Sequence, residues 1–360
     1  MSIPFQIESF QKQLIDWFDT HKRLLPWRQE KHWYYIFLSE FLLQQTQVEQ
    51  ALPYFYKFIH AFPTIEHLAK TSEDDVLKLW AGLGYYSRAR NLRKAAQKIV
   101  ERFDGRFPLD YKDALSLPGI GPYTAAAILS IAFGKPHAVV DGNVIRVMSR
   151  LFSINEDVND GKTRKYIESI VQKLLPEKEA GTFNEALMEL GAVVCKPKNP
   201  RCLSCPVNTW CMAYKDGNPQ AYPIKSAPAA KKRLFHYVFL IQNETDYLIV
   251  KRPDSGLLAS MWEFPSVQTQ KLTLAAPEIM THLQKQYGIK GELIEQDMIR
   301  HHTYSHIRLQ YMAVYVRTDD EHIKLGHYQS FIWEHFNRLS DYAIHNAHKK
   351  LLSWMASFKN

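Results

Sequence analysis

The sequence has no apolar run long enough to cross a bilayer. Its start, MSIPFQIESFQKQLIDWF, carries Glu8, Lys12 and Asp16 where a secretory leader needs an unbroken apolar segment. That pattern predicts a soluble intracellular chain with no membrane partner. Internal repeats and low-complexity tracts are missing too, which excludes a solenoid or a fibrous protein. Cysteine is scarce: four residues, all between 195 and 211, so no disulfide framework ties distant segments together. Acidic residues are in deficit, 37 against 45 basic, giving a formal charge of +8 and favouring a polyanionic partner such as nucleic acid.

What is present divides into two parts, as 360 residues lead one to expect at about 150 residues per domain. Apolar positions spaced three and four apart recur in 65–80, 88–103, 123–133, 143–152, 163–175 and 183–194. Residues 1–215 therefore read as an all-α domain. The stretch 216–233, DGNPQAYPIKSAPAAKKR, has linker composition. Beyond it the period changes to two. FHYVFLI and YLIVKR flank QNETD like paired strands, SHIRLQYMAVYVR alternates, and helices are expected at 277–287 and 341–358, which makes 234–360 an α+β domain.

Four features carry chemistry. Cys195, Cys202, Cys205 and Cys211 are spaced C-x6-C-x2-C-x5-C, suited to an iron–sulfur cube or a tetrahedral zinc. The single C-x2-C pair and wide outer spacings favour the cube. Lys196, Lys198 and Arg201 in the loop suit phosphates, or form a solvated charge run. In LSLPGIGPYTAAAILSIAF, Pro118, Gly119, Gly121 and Pro122 make a hairpin between helices, and its glycine amides beside a helix N-terminus suit one DNA phosphate. A plain helix–helix turn uses glycine as well. In HAVVDGNVIRVMSR, Asp141 and Asn143 open an amphipathic helix; either residue serves as an ordinary N-cap, and a carboxylate there is also held ionised. Finally, YYIFLSEFLLQQTQ places one carboxylate, Glu40, on an apolar helix face, where desolvation keeps it protonated longer. Two carboxylates with pKa values pushed apart supply an acid and an anion at neutral pH. The alternative for Glu40 is a buried glutamate held for structure by the backbone or by Arg28.

Taken together, LLPWR (24–28), SEFLLQQTQ (39–47), GLGYYSRARNL (82–92), LPGIGPYTA (117–125), VVDGNVIRV (139–147), FNEALMELG (183–191) and the cysteine loop resemble the adenine-specific mismatch DNA glycosylases of the MutY family. The resemblance implies a multi-domain chain: a helix-hairpin-helix glycosylase domain with a 4Fe–4S cluster on the four cysteines, then a Nudix-like domain. It implies base-excision repair of duplex DNA in which adenine faces 8-oxoguanine or guanine, by a monomer in the cytoplasm or on the nucleoid. Glu40 matches the general acid and Asp141 the stabiliser of the oxocarbenium ion. Tyr123 and Asn143 match groups that hold Asp141 and the sugar, and Trp27, Arg28 and Glu185 line the adenine pocket. Gln45, Thr46 and Tyr85 match positions that meet the partner base, and Gly119 and Gly121 the phosphate contact.

The chain departs from its kin in three ways. Endonuclease III carries a lysine in the hairpin and forms a Schiff base with the sugar; here the position is Tyr123 and no lysine stands between Leu117 and Gly134, so an uncut abasic product is expected. The Nudix hydrolase box is missing, since THLQKQYGI offers Lys285 and Gln286 where paired glutamates would hold metal and Trp262 stands six residues after Gly256. The recognition loop for 8-oxoguanine, Phe-Ser-His in the family, reads Tyr304, Ser305 and His306. Two other readings remain at this level: an endonuclease III-like glycosylase/lyase, and a catalytically silent iron–sulfur DNA-binding module.

Overall fold

The computed structural model describes residues 3–227, 230–304 and 306–359. Ser305 lies outside the described residues. Two compact units emerge, one of residues 1–70 with 91–227 and one of 71–90 with 228–360. The division departs from the sequence-based one at 71–90, which groups with the second unit. Contacts within that unit account for this: Lys251 Nζ lies 2.9 Å from Asp74 Oδ1, Lys78 Nζ 3.4 Å from Asp341 Oδ1, and Arg90 Nη1 donates to the Ala259 carbonyl at 2.5 Å. The expected linker is also narrower. Val158 N–H donates to the Ile224 carbonyl at 3.0 Å and Arg150 Nε to that of Tyr222 at 3.2 Å, which pins 222–224 to the first unit. Among the described residues no helix is long and apolar enough to cross a membrane.

The helices are α1 (Ile7–His21), α2 (Pro26–Gln29), α3 (Trp33–Leu43), α4 (Val48–Ala61), α5 (Ile65–Lys70), α6 (Glu73–Trp80), α7 (Ser87–Phe103), α8 (Tyr111–Leu115), α9 (Pro122–Phe133), α10 (Gly142–Leu151), α11 (Gly161–Leu174), α12 (Ala180–Val193) and α13 (Met212–Lys215). The run 65–80 is thus two helices, because Ser72 interrupts it and caps α6 by accepting from Asp75 N–H. Helix α3 is apolar all round, and Tyr34 and Ile36 to Leu42 are buried, so it forms the interior of the first unit. Helix α10 is amphipathic; its Val144, Val147, Met148 and Leu151 pack with Phe10, Leu14 and Phe18 of α1 and Phe183, Leu187 and Leu190 of α12.

Two glycines set the geometry of this unit. Gly119, in the hairpin between α8 and α9, has φ +76°, and an added Cβ would sit 2.6 Å from Asn91 Cβ and 2.8 Å from Phe41 Cε1. Gly191 lets α12 meet α10 so closely that a Cβ there would lie 2.5 Å from Asn143 Cβ and 3.1 Å from the Asn143 backbone. Asn184, fully buried on α12, receives Val139 N–H at 3.1 Å and donates to Ser130 Oγ at 2.9 Å and to the His137 carbonyl at 2.8 Å. It thereby fixes the extended segment that delivers Asp141.

In the second unit an eight-stranded mixed sheet comprises β1 (Lys232–Asn243), β2 (Asp246–Lys251), β3 (Trp262–Glu263), β4 (Ser266–Thr269), β5 (Glu292–Gln296), β6 (Arg300–Thr303), β7 (Ile307–Arg317) and β8 (Ser330–His335). β1 and β7 run parallel from Lys232↔Ile307 to Gln242↔Arg317, and the other pairs are antiparallel. Both faces are covered, which explains the unbroken apolar run of β1. Tyr237, Phe239 and Ile241 face α14 (Ala276–Tyr287), while Val238 and Leu240 face Leu339, Ile344, Ala347 and Leu351. The helix expected over 341–358 is not continuous. It is replaced by α15 (Asn346–Lys349), α16 (Leu352–Met355) and flanking 3₁₀ turns, because Ile344 forms a bridge with Trp262 and the Ala343 carbonyl accepts from Trp262 N–H at 3.1 Å.

Replacing Gly191 with alanine forces the backbones of α10 and α12 apart. Unfolding in urea should show a loss of about 1–3 kcal/mol, the usual cost of overpacking; an unchanged midpoint would show that the approach is not under constraint.

Candidate active site

A cavity of about 440 Å³ in the first unit is lined by residues from α2, α3, α9, α10 and α12. It gathers Trp27, Arg28, Glu40, Thr46, Tyr123, Asp141, Asn143 and Glu185, eight residues that lie far apart in the chain. Glu40 is buried on α3, and its Oε2 has no hydrogen-bond partner. Asp141 is the N-cap of α10: its Oδ1 accepts from Val144 N–H at 2.7 Å and its Oδ2 from Asn143 Nδ2 at 2.9 Å. The N-cap reading of Asp141 thus holds, and the same capped residue lines the cavity. Tyr123, in the first turn of α9, donates to Met188 Sδ at 3.6 Å, and Trp27 packs edge-on against Phe55.

Arg28 does not partner Glu40. Its Nε donates to Glu185 Oε1 at 3.0 Å and its Nη2 to Glu189 Oε2 at 3.1 Å. Glu189 also accepts from Arg23 Nε at 2.7 Å and Nη2 at 2.9 Å. Arg23, Met188 and Glu189 line the cavity and were missed in the sequence. The available signal was the i, i+4 spacing of Glu185 and Glu189 on α12, which puts both carboxylates on one helix face.

Other expected site residues lie elsewhere. Gln45 is exposed just after α3 and is not among the lining residues; at φ +56° it occupies the left-handed region. Gly121 is the N-cap of α9 and, having no side chain, leaves that helix end uncapped by one. In the second unit, a cavity of about 430 Å³ is lined by Tyr85, Tyr86, His302, Thr303, Tyr304 and His306, among others. Tyr85, 43% exposed, also has positive φ, +50°, and its loop is braced by Trp80 Nε1 and Arg88 Nη2, which both donate to the Gly84 carbonyl. Tyr304 and His306 stand in the turn joining β6 to β7, where Tyr304 N–H donates to the Ile307 carbonyl at 2.9 Å.

The four cysteines line one cavity with Arg150, Asn208 and Tyr214. Cys195 follows α12, two 3₁₀ turns carry Cys202 and lead into Cys205 and Cys211, and Arg150 Nη1 donates to Cys195 Sγ at 3.2 Å. Burial raises the Cys205 thiol to about 12 and raises those of Cys202 and Cys211, so thiolates here need bound cations to be stable. Among the described residues, the one group of three or more ligand atoms lying within 4.8 Å of one another is Glu263, His345 and His348 in the second unit, so no three of the cysteine sulfurs lie that close together. A zinc bound to four thiolates at about 2.3 Å would hold the sulfurs about 3.8 Å from each other. The wider loop fits a polynuclear cluster.

Relatives in sequence carry one function in their names. The adenine DNA glycosylase of Buchnera aphidicola (subsp. Schizaphis graminum) is 35% identical over 74% of this chain and 77% of its own length. That of Schizosaccharomyces pombe is 34% identical over 73% and 70%, and the human one 34% over 86% and 67%. The chain belongs to the adenine DNA glycosylase family. Within this family member, residues 38–177 match the HhH-GPD superfamily base excision DNA repair proteins and 236–354 match the NUDIX domain. Among solved structures, a thermostable thymine-DNA glycosylase aligns with TM-score 0.53 and 30% identity over 58% of this chain and 97% of that one. An endonuclease III bound to DNA aligns with TM-score 0.51 at 23% identity over 59% and 96%, and shares the fold.

The electrostatics of the glycosylase cavity follow from who holds each charge. Burial pushes Glu40 up to about 7; Asp141 and Glu185 push the same way, and Tyr123 opposes them. Burial raises Asp141 as well, but the N–H of Val144, the Asn143 amide and Arg146 all act against it. The pair was expected to part in opposite directions; both move upward because both are desolvated, and Asp141 has more donors to hold its anion, the Val144 N–H and the Asn143 amide, than Glu40, which has the Tyr123 hydroxyl.

Glu40 binds its proton more tightly folded than unfolded, so it favours folding below about pH 4.5 and this contribution is lost as pH rises through about 7. Glu40→Gln, which mimics the protonated acid, should match wild-type stability near pH 4.5 and exceed it by about 3 kcal/mol above pH 8. Denaturant titrations at the two pH values check this; equal stability at both would mean the carboxyl is solvated.

Proposed function

We propose that this protein flips adenine, paired with 8-oxoguanine or guanine, out of duplex DNA and hydrolyses its N-glycosidic bond, leaving an abasic site in an uncut strand. The observation that carries this reading is the contrast within one cavity between Glu40, buried with an unpartnered oxygen, and Asp141, hydrogen-bonded through both oxygens. A stacked adenine is out of reach of either group, so flipping comes first. Glu40 then gives its proton to a ring nitrogen of the base, and the C–N bonding electrons leave with the neutral adenine. The sugar is left as an oxocarbenium ion, whose charge the Asp141 carboxylate faces. Water attacks the sugar carbon, and its proton returns to the Glu40 carboxylate.

Tyr123 at the hairpin favours hydrolysis over lyase chemistry, because a phenol has no amine nitrogen with which to form a Schiff base on the opened sugar. Reading of the partner base is supported in the second unit, where Tyr85, Tyr304 and His306 line a common cavity with His302, whose ring meets Tyr304 edge-on at 4.7 Å. Stacking and hydrogen bonding from such a cavity suit an oxidised purine. The 4Fe–4S group that the four cysteines fit would, when bound, supply structure and charge to the loop bearing Lys196, Lys198 and Arg201 rather than chemistry at the sugar.

Single-turnover cleavage of labelled duplexes tests the reading, with adenine opposite 8-oxoguanine, guanine or thymine and with thymine glycol as control, each quenched with and without hot alkali. Breaks should appear only after alkali, opposite 8-oxoguanine and guanine, at a rate that falls as pH rises past about 7. Alkali-independent breaks would show a lyase, and tight binding without cleavage would show a silent binder. Replacing Ser305 and His306 together with alanine should narrow the preference for 8-oxoguanine over guanine by tenfold or so; undiminished discrimination refutes their role.

A further inference from the structure

Glu189 has no part in the reaction just described, yet it is among the most deeply buried carboxylates of the first unit, 1% exposed. It accepts from Arg23 N–H at 3.2 Å, Arg23 Nε at 2.7 Å, Arg23 Nη2 at 2.9 Å and Arg28 Nη2 at 3.1 Å. One turn earlier on α12, Glu185 accepts from Arg28 Nε at 3.0 Å. The Arg28 guanidinium is therefore gripped on two sides by carboxylates that share a rigid helix. Arg28 Nη1 also donates to the Arg23 carbonyl at 3.4 Å, a long bond to a residue that Glu189 itself holds, so without Glu189 the guanidinium keeps Glu185 as its one charged partner. A surface ion pair would contribute little, but the Arg28 and Glu185 side chains are only 11% and 6% exposed, so the geometry is held in a water-poor wall.

We propose that Glu189 is a positioning residue for base selection: it locks the Arg28 guanidinium beside the Glu185 carboxylate so that the two present one fixed donor–acceptor edge to the flipped base. This rests on the adenine-excision reading. Adenine carries an exocyclic amine, a donor, next to ring nitrogens that accept. A carboxylate and a guanidinium held side by side match that alternation. Hypoxanthine offers a carbonyl in place of the amine, and unsubstituted purine offers nothing there, so Glu185 keeps Arg28 but receives no donor from the base. Sites built to hydrogen-bond a substrate group reject analogues lacking it strongly, provided the site cannot relax. Glu189 removes that freedom to relax.

The test compares single-turnover rates at saturating enzyme for adenine, purine and hypoxanthine, each opposite 8-oxoguanine, in wild type, Glu189→Gln and Glu189→Asp, with thermal melting of each protein. The amide keeps the shape and removes the charge; the shorter acid keeps the charge and loses the reach. Both should lower the adenine rate about tenfold and the adenine-to-purine ratio at least fivefold. The decisive arm is the Arg28→Ala background, in which Glu189→Gln should leave the ratio unchanged, since nothing remains to be positioned. A ratio held within twofold of wild type while rate and melting temperature fall together would overturn the proposal, as would an equal loss of ratio with and without Arg28. Should the amide variant fail to fold, the aspartate variant carries the same comparison. Wild type that does not excise adenine at all would instead sink the functional reading, and the positioning role with it.

Discussion

Arg146, buried on α10, donates to Asn143 Oδ1 at 2.7 Å, to the Gly191 carbonyl at 2.8 Å and to the Cys195 carbonyl at 2.7 Å. Asn143 in turn donates to Asp141. One guanidinium thus joins the N-terminus of α10, the C-terminal turn of α12 and the start of the cysteine loop. One turn further along α10, Arg150 repeats the arrangement, reaching Cys195 Sγ and the Lys196 and Pro197 carbonyls. Two buried cations whose partners are mostly neutral carbonyls are expensive in isolation. Thiolates on a bound cluster would supply the balancing charge, and the cysteine loop and the arginines would then stabilise each other. The Asp141 carboxylate inherits its position from that arrangement.

The same helix pair explains why small residues sit where they do. Asn143 cannot be both close to α12 and hydrogen-bonded to Asp141 unless Gly191 leaves room. Asn184 on α12 meanwhile fastens the strand-like segment before Asp141 from the other side. Asp141 is over-determined, held by its cap bond, by Asn143 and by the segment that delivers it. Glu40 is the reverse case, with an apolar helix around it and an oxygen left free. This asymmetry is why the donors around Asp141 work against its burial more than the one around Glu40 does.

Much of this was legible in the chain. The helical period marked α7, α9, α10, α11 and α12 to within a few residues, because each buries one or more faces with regular spacing. The cysteine clump was readable because its spacing gathers four thiols into one loop, and Gly119 of the hairpin because positive φ restricts residue type. The C-terminal segment was misread as one helix. Its apolar pattern is helical, but pairing of 343–345 with Trp262 of β3 overrides the local preference. The Arg23–Glu189–Arg28 arrangement was invisible for a different reason: its members are 161 and 166 residues apart, and nothing local distinguishes a buried ion pair from a solvated one. Nor could sequence show that Gln45 and Tyr85 sit at positive φ, a strain of about 1–3 kcal/mol each that the surrounding loops must hold.

Placing Glu40 where it is costs stability, about 3 kcal/mol near neutral pH and above if its pKa moves from 4.5 to about 7. The helix that carries it offsets that cost. Ile36, Phe37, Leu38, Phe41 and Leu42 on α3 are each at most 2% exposed, and full burial of such a side chain is worth about 1.5–3 kcal/mol. A helix with a polar face would have solvated the carboxyl and returned it to an ordinary acid, ionised and unable to protonate a base. The apolar character of α3 is therefore both the source of the stability and the cause of the raised Glu40 pKa. A substitution that let water reach Glu40 would leave the fold standing and take away its proton.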